Sequence, residues 1–294
     1  MSLRPVPALS DLSVTEFLTL SRAGFLPYGL VIGSSVYNAG ALQTEAKGFF
    51  DAIAAAFSGA APTYTTGEAV QLSHAMRAAR ALAIDDLRAQ AEQLGAEGVV
   101  GVRLKVEHHQ WRGGNQVAKF FALGTAVGFD PDHAPAEFRG APSLRQASGR
   151  PFTSDLSGQD FVALLRAGYR PVTVTTGTCV YQLDVREAAA FSGYNAEMTS
   201  YTQAFLDARE LAMERLQHDL FQEWPPGHPD CPIGIVGMTV EENAYGGRGM
   251  SRTYQGPPLV EFSAIGTAIA PLAPNDPRRA RQHPRPITVV PLDR

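Results

Sequence analysis

Residues 10–37 read SDLSVTEFLTLSRAGFLPYGLVIGSSVY, and residues 154–181 read SDLSGQDFVALLRAGYRPVTVTTGTCVY. The two stretches align without a gap, and both contain an Arg-Ala-Gly tripeptide that starts at Arg22 and at Arg166. Self-similarity at a long, fixed separation indicates a repeated folding unit. The sequence therefore predicts that the two halves of this 294-residue chain repeat one plan.

Each stretch predicts a short helix followed by a strand. Asp and Ser stand at the start as caps, and an apolar pattern of helical period follows until Gly24 or Gly168. Glycine at this place ends a helix because it adopts the left-handed conformation without steric cost. A run rich in β-branched residues comes next, at residues 28–35 and 172–178, and favours a strand.

A long helix is predicted in both copies, at residues 68–94 and 197–221. Apolar residues recur there at helical spacing, as in the buried stripe of an amphipathic helix. The predicted stripe consists of Leu72, Met76, Ala79, Leu82, Ala83, Leu87 and Ala91 in the first copy, and of Tyr201, Phe205, Ala208, Leu211, Ala212, Leu216 and Leu220 in the second. The apolar positions match while the surface residues differ, which is what a buried face requires.

Two further strands are predicted after each long helix, and the last strand of each copy contains Gly-Thr-Ala, at residues 124–126 and 266–268. These small side chains predict a close approach of another backbone. The predicted fold class is α+β, with two tandem β-α-β-β domains. We expect the domains at residues 10–130 and 154–272, an N-terminal tail at 1–9, a Pro- and Gly-rich linker at 131–153 and a C-terminal tail at 273–294.

The first copy contains three motifs in order: GE-x-x-x-L-S-x-x-M-x-x-AR-x-x-A from Gly67, LGAEGVVGVRL from Leu94 and ALGTAV from Ala122. With these motifs the repeated unit resembles the YbjQ-like family, whose members are labelled as heavy-metal-binding domains. The resemblance implies a small domain that assembles into rings, commonly pentameric. The second copy departs from the pattern, because it has FQEWPPGHPDCPIGIVG where the first has AEQLGAEGVVG.

Composition narrows the classes of function. The net charge of −4 gives no general attraction to nucleic acid or to an anionic membrane. Cys179 and Cys231 are the two cysteines of the chain and form no CxxC pair, so a disulfide framework is not expected. The start lacks the pattern of a secretory signal, and no apolar run approaches the ~20 residues of a membrane span. These features predict a cytoplasmic protein without membrane insertion.

Three residues in one Pro-rich loop, His228, Asp230 and Cys231, are the candidate metal ligands. Imidazole, carboxylate and thiol can converge on a soft ion, although a structural zinc site uses about four ligands. The cofactor is therefore open, with a metal ion as the candidate. Cys179 lies in a predicted strand, where a small buried hydrophobe is the favoured interpretation over a reactive thiol.

Four charged residues occupy equivalent positions in the two long helices: Glu68, Arg80, Glu197 and Arg209. They could contact a ligand, but we favour a role in assembly, with each Glu complementing the helix dipole and each Arg bridging to a carboxylate of a neighbour.

No catalytic set of side chains can be singled out from the sequence. The favoured hypothesis is a non-enzymatic binding or scaffold protein, a homo-oligomer that forms a ring, with a pentamer preferred. This choice has a physical reason, since a three-stranded unit with one long helix buries little surface alone. The alternatives are a heavy-metal binder or sensor, and a small-ligand carrier or enzyme with a pocket at an interface.

Overall fold

The computed structural model describes residues 8–38, 66–110, 116–183, 199–245 and 259–279. The helices there are α1 (Val14–Arg22), α2 (Val70–Gln93), α3 (Gly158–Arg166) and α4 (Thr199–Glu223), with a 3₁₀ turn at Ala136–Phe138. The strands are β1 (Phe25–Asn38), β2 (Gly67–Glu68), β3 (Gly98–Gln110), β4 (Gln116–Phe129), β5 (Phe152–Thr153), β6 (Tyr169–Gln182), β7 (Gly234–Tyr245) and β8 (Leu259–Pro271). This mixture of helices and open sheets confirms the α+β class.

The strands form two sheets, in the orders β1-β4-β3-β5 and β2-β6-β8-β7. Three long antiparallel strands make up most of each sheet. The two short strands cross between the halves: β5, from the predicted linker, pairs in parallel with β3, whereas β2, from the first half, pairs with β6 of the second sheet. The second sheet is therefore completed by a segment from the first half, and the first sheet by a segment from the predicted linker.

The same irregularity occurs in both sheets. The register of β3 against β4 shifts between Val100 and Arg103, and that of β7 against β8 shifts between Val236 and Thr239. Inside each bulge a glycine has a positive φ, +65° at Gly101 and +68° at Gly237. A β-bulge of this kind needs glycine and redirects the backbone groups of its strand.

Helix α2 packs on β1 of its own sheet and, with its other side, on β6 of the second sheet. Its stripe is buried as predicted, with the exception of Leu82, which is 60% exposed. The two sheets leave that side of the helix in solvent. Buried residues of α2 form one cluster with residues of both sheets, including Val31, Phe120, Val174 and Ile265.

A second apolar cluster joins α1 to α3. It contains Leu20, Phe25, Phe152, Phe161 and Val162, so it also draws on both halves of the chain. The two halves thus share their cores, and we call the set of contacts between them the inter-repeat junction.

Glycines allow each long helix to lie directly against a strand. A Cβ at Gly33 would overlap the carbonyl oxygen of Ala83, and a Cβ at Gly177 would overlap that of Ala212.

The Gly33→Ala variant is expected to lower the free energy of unfolding by about 1–3 kcal/mol, because the helix must move away from the sheet. Urea denaturation measures the effect, with Gly234→Ala as the control, since a Cβ there meets no atom within 4 Å. Equal denaturation midpoints for the two variants would contradict this close packing.

Candidate functional site

The inter-repeat junction holds a buried ion pair between Arg80 on α2 and Glu261 on β8. Their side chains are 2% and 0% exposed, and Nη2 of Arg80 lies 2.6 Å from Oε1 of Glu261. Arg80 also donates to Oγ1 of Thr178 at 2.6 Å, and its guanidinium stands over the Phe120 ring at 5.3 Å. A charge pair this deeply buried is tolerated only when its geometry and hydrogen bonds are good.

The sequence predicts Arg80 as an assembly contact, but it does not identify the partner of Arg80. The signal was present, because Glu261 is the charged residue in the mainly apolar stretch LVEFSAI, and a carboxylate is rarely buried unless it is paired.

Glu68 reaches the second half as well. It lies in β2, two positions before α2 begins, and its Oε2 accepts a hydrogen bond from Nη2 of Arg215 at 2.7 Å. Burial by itself would raise the pKa of Glu68, but the hydrogen bonds from Arg215 and Ser73 and the positive charge of Arg215 outweigh it, so this pKa lies below its usual value. The carboxylate therefore stays charged in the folded protein at neutral pH.

Two further residues were proposed as assembly contacts. Arg209 is exposed on α4, and Glu197 lies outside the residues that the structure describes. Their roles stay predictions.

The repeated Gly-Thr-Ala has a structural role that the sequence did not indicate. Oγ1 of Thr125 accepts a hydrogen bond from the backbone N–H of Asp11 at 3.1 Å, and Oγ1 of Thr267 accepts one from the N–H of Asp155 at 3.0 Å. The threonine of each Gly-Thr-Ala thus anchors the Ser-Asp-Leu segment of its own copy. The two repeated motifs are parts of one contact.

The anchored segment of the second copy also pairs with the first sheet. The N–H groups of Gly101 and Val102, in the bulge of β3, donate to the carbonyl oxygens of Leu156 and Ser154 at 2.9 Å each. In return, the N–H of Ser154 donates to the carbonyl oxygen of Val99 at 2.9 Å. These bonds extend the edge of the first sheet across the junction.

The three candidate metal ligands lie in the loop before β7, and Asp230 has other partners there. Its Oδ1 is 2.6 Å from Nη2 of Arg170, and its Oδ2 accepts from the N–H of Ala147 at 2.7 Å. Nδ1 of His228 accepts from the N–H of Asp230 at 3.0 Å. Within the described ranges, no three His, Cys, Asp or Glu side chains are grouped as a metal site.

Comparison with known proteins found a family model and a similar protein. A family model described as "Putative heavy-metal-binding", YbjQ_1, matches residues 28–130. The encapsulin nanocompartment protein Rv1762c of Mycobacterium tuberculosis (strain H37Rv) is 36% identical over 263 residues, which cover 88% of this chain and 84% of that protein. The chain belongs to the YbjQ-like family. No solved structure matches it.

The YbjQ-like chain also has a polar cleft beside the inter-repeat junction. A small-ligand carrier or enzyme with a pocket at an interface, one of the alternatives from the sequence, would use this cleft. Its charged lining consists of Asp85, Arg88, Arg150, Asp219 and Glu223. Arg150 pairs with Asp85 at 3.2 Å and with Glu223 at 3.4 Å, while Arg88 donates to Oγ1 of Thr173 at 2.8 Å. Arg88 also pairs with Asp85 at 2.8 Å, and Asp219 pairs with Arg77 of α2. The charged groups of the cleft lining are therefore engaged in ion pairs within the protein.

None of the helices in the described ranges combines the length and the apolarity needed to cross a bilayer.

The two cysteines of this YbjQ-like chain are expected to differ in reactivity. Cys179 is fully buried, and burial together with the nearby charge of Glu68 raises the pKa of its thiol to about 12. Thiol reagents attack the thiolate, so a disulfide reagent at pH 8 should label one thiol per native chain and two in urea. The native signal should disappear in Cys231→Ser. Labelling of two thiols at equal rates in the native protein would contradict the buried position of Cys179.

Proposed function

We propose that this chain is a non-enzymatic scaffold subunit whose copies associate with one another. The observation that carries the proposal is the inter-repeat junction, in which β2 of the first half completes the second sheet and the buried apolar clusters draw on both halves. A unit that depends on a neighbour in this way is suited to assembly from repeated contacts. The 36% identity to an encapsulin nanocompartment protein supports the same role.

The finer form of the proposal is a closed, cytoplasmic ring, with five subunits as the size that the family resemblance implies. The domain limits at residues 10–130 and 154–272 belong to this proposal too. Because the relative carries the name of a nanocompartment protein, we extend the proposal to a component of a closed compartment.

The experiment is light scattering on the purified chain at micromolar concentration, followed by electron microscopy of the same sample. The proposal expects a particle several times heavier than the 31.5 kDa chain and images of rings or closed shells. A monodisperse 31.5 kDa particle would reject assembly, whereas open filaments would reject closure and keep self-association.

Heavy-metal binding is the second candidate, and the family description favours it. A site at His228, Asp230 and Cys231 requires Asp230 to leave Arg170. Elemental analysis after zinc loading and desalting tests this proposal, with Cys231→Ser as the variant and Cys179→Ala as the matched control. Loss of metal in the first alone supports the site, and equal metal content in both rejects it.

A further inference from the structure

Exposed apolar side chains mark two surfaces, one at the start of the first copy and one at the sheet edge of the second copy. The first, which we call the leading surface, consists of residues 8–12 and the outer side of α1. Its exposed apolar residues are Leu9, Val14, Phe17 and Leu18, with exposed fractions of 71%, 77%, 40% and 47%. The second, which we call the trailing surface, is the bulged edge of β7. It includes Ile233, Met238 and Val240, which are 58%, 42% and 51% exposed.

The leading surface has a buried counterpart in the second copy. A shift of 144 residues, the separation of the aligned stretches, places Val14, Phe17 and Leu18 on Gly158, Phe161 and Val162. Phe161 and Val162 are 0% and 3% exposed, because they pack in the cluster that α1 and the first sheet contribute to the inter-repeat junction. The same helix face is therefore covered in one copy and open in the other.

The trailing surface has a covered counterpart in the first copy. The bulge glycines Gly101 and Gly237 are equivalent, with matching φ angles. The N–H groups of Gly101 and Val102 donate to the segment before α3. Among the described residues, these two hydrogen bonds have no counterparts at Gly237 and Met238.

We propose that the leading surface of one chain docks on the trailing surface of a second copy of the same chain. The carbonyl oxygens of Ser10 and Leu12 then take the places of those of Ser154 and Leu156, and accept from the N–H groups of Met238 and Gly237. The contact repeats between chains the bonds that join the two halves within one chain. This inference rests on the proposed function, and it names the surfaces through which the copies associate.

The contact is heterologous, because it joins two different surfaces. A heterologous contact continues from chain to chain and produces a ring if the rotation closes, or a filament if it does not. An exposed strand edge presents unpaired backbone groups that can pair with another chain, and exposed apolar patches mark interaction sites. The leading and trailing surfaces would cover each other in this way.

One part of the inter-repeat junction does not extend to this contact. The position equivalent to Glu261 is Lys119 on β4, and the position equivalent to Arg80 is Arg209. A repeat of the buried ion pair between chains would place two cations together. The proposal is therefore confined to residues 8–12, α1 and the edge of β7.

The test uses one blocked variant for each surface. Phe17→Asp places a charge on the leading surface, and Met238→Asp places one on the trailing surface. Leu82→Asp is the control, because Leu82 is also an exposed apolar residue, at 60%, but lies on neither surface. Native mass spectrometry and light scattering give the mass, and circular dichroism with thermal unfolding checks that each variant is folded.

The mixture of the two blocked variants is decisive. Each variant alone keeps one intact surface and should be a monomer, while an equimolar mixture has one usable contact and should give a dimer of twice 31.5 kDa. Leu82→Asp should assemble like the wild type. If the wild type is a monomer, the proposed function itself fails. If the wild type and both blocked variants assemble equally, or if the mixture stays monomeric, the proposed docking is wrong and self-association survives.

Discussion

Replacement of Arg80 by methionine is expected to lower the free energy of unfolding by about 3–5 kcal/mol. Glu261, which is 0% exposed, would then lose its ion pair with Arg80, and removal of one side of a buried pair costs this much. Oγ1 of Thr178 would also lose its hydrogen bond from Nη1 of Arg80. Urea denaturation followed by circular dichroism, at a fixed protein concentration, measures the change.

Arg209→Met is the matched control, because Arg209 occupies the equivalent position in α4 and is exposed. Its expected effect is within about 0.5 kcal/mol. The double variant Arg80→Met/Glu261→Met should recover most of the loss, since replacement of both members of a buried ion pair by apolar residues is often neutral. Equal losses for Arg80→Met and Arg209→Met would show that the buried pair is not present.

Replacement of Phe161 by alanine is the second large change, with an expected loss of about 3–5 kcal/mol in the free energy of unfolding. Phe161 is fully buried between α1 and α3. Its ring packs edge-on against Phe25, with centroids 5.1 Å apart, and stacks on Phe152 at 5.5 Å. The three rings come from both halves of the chain, so the cavity would weaken the junction itself.

Phe221→Ala on α4 is the control for this cavity, because that ring is 50% exposed. Truncation there removes little buried surface, so we expect a loss below about 1 kcal/mol. Thermal unfolding of both variants should show a single transition at a lower temperature for Phe161→Ala. A melting temperature equal to that of Phe221→Ala would mean that the aromatic cluster does not hold the halves together.

The long elements of the fold could be predicted because periodicity is a local property. The predicted stripe of α2 is buried, with the exception of Leu82, and the predicted strand at residues 28–35 is part of β1. The two short strands, β2 and β5, could not be predicted in the same way. Each has two residues, which is too short for any alternation of apolar and polar side chains to be visible.

The sequence singled out two charged residues of the inter-repeat junction but not their partners. Arg80 was expected to bridge to a carboxylate of a neighbour, and Glu68 was expected to complement the helix dipole. In the structure Arg80 pairs with Glu261 and Glu68 pairs with Arg215, both of the second half. These pairs join residues 181 and 147 positions apart, and no local pattern encodes such a separation. Glu68 was expected at the start of the helix, but it pairs as strand β2 because the edge of β6 is open to it.

The most direct test of self-assembly is the native mass of the unmodified chain. Native mass spectrometry from a volatile buffer, over a tenfold range of protein concentration, should show one dominant species at a whole multiple of 31.5 kDa greater than one. A spectrum with the 31.5 kDa chain alone, at every concentration, would contradict assembly through the leading and trailing surfaces and the scaffold role with it.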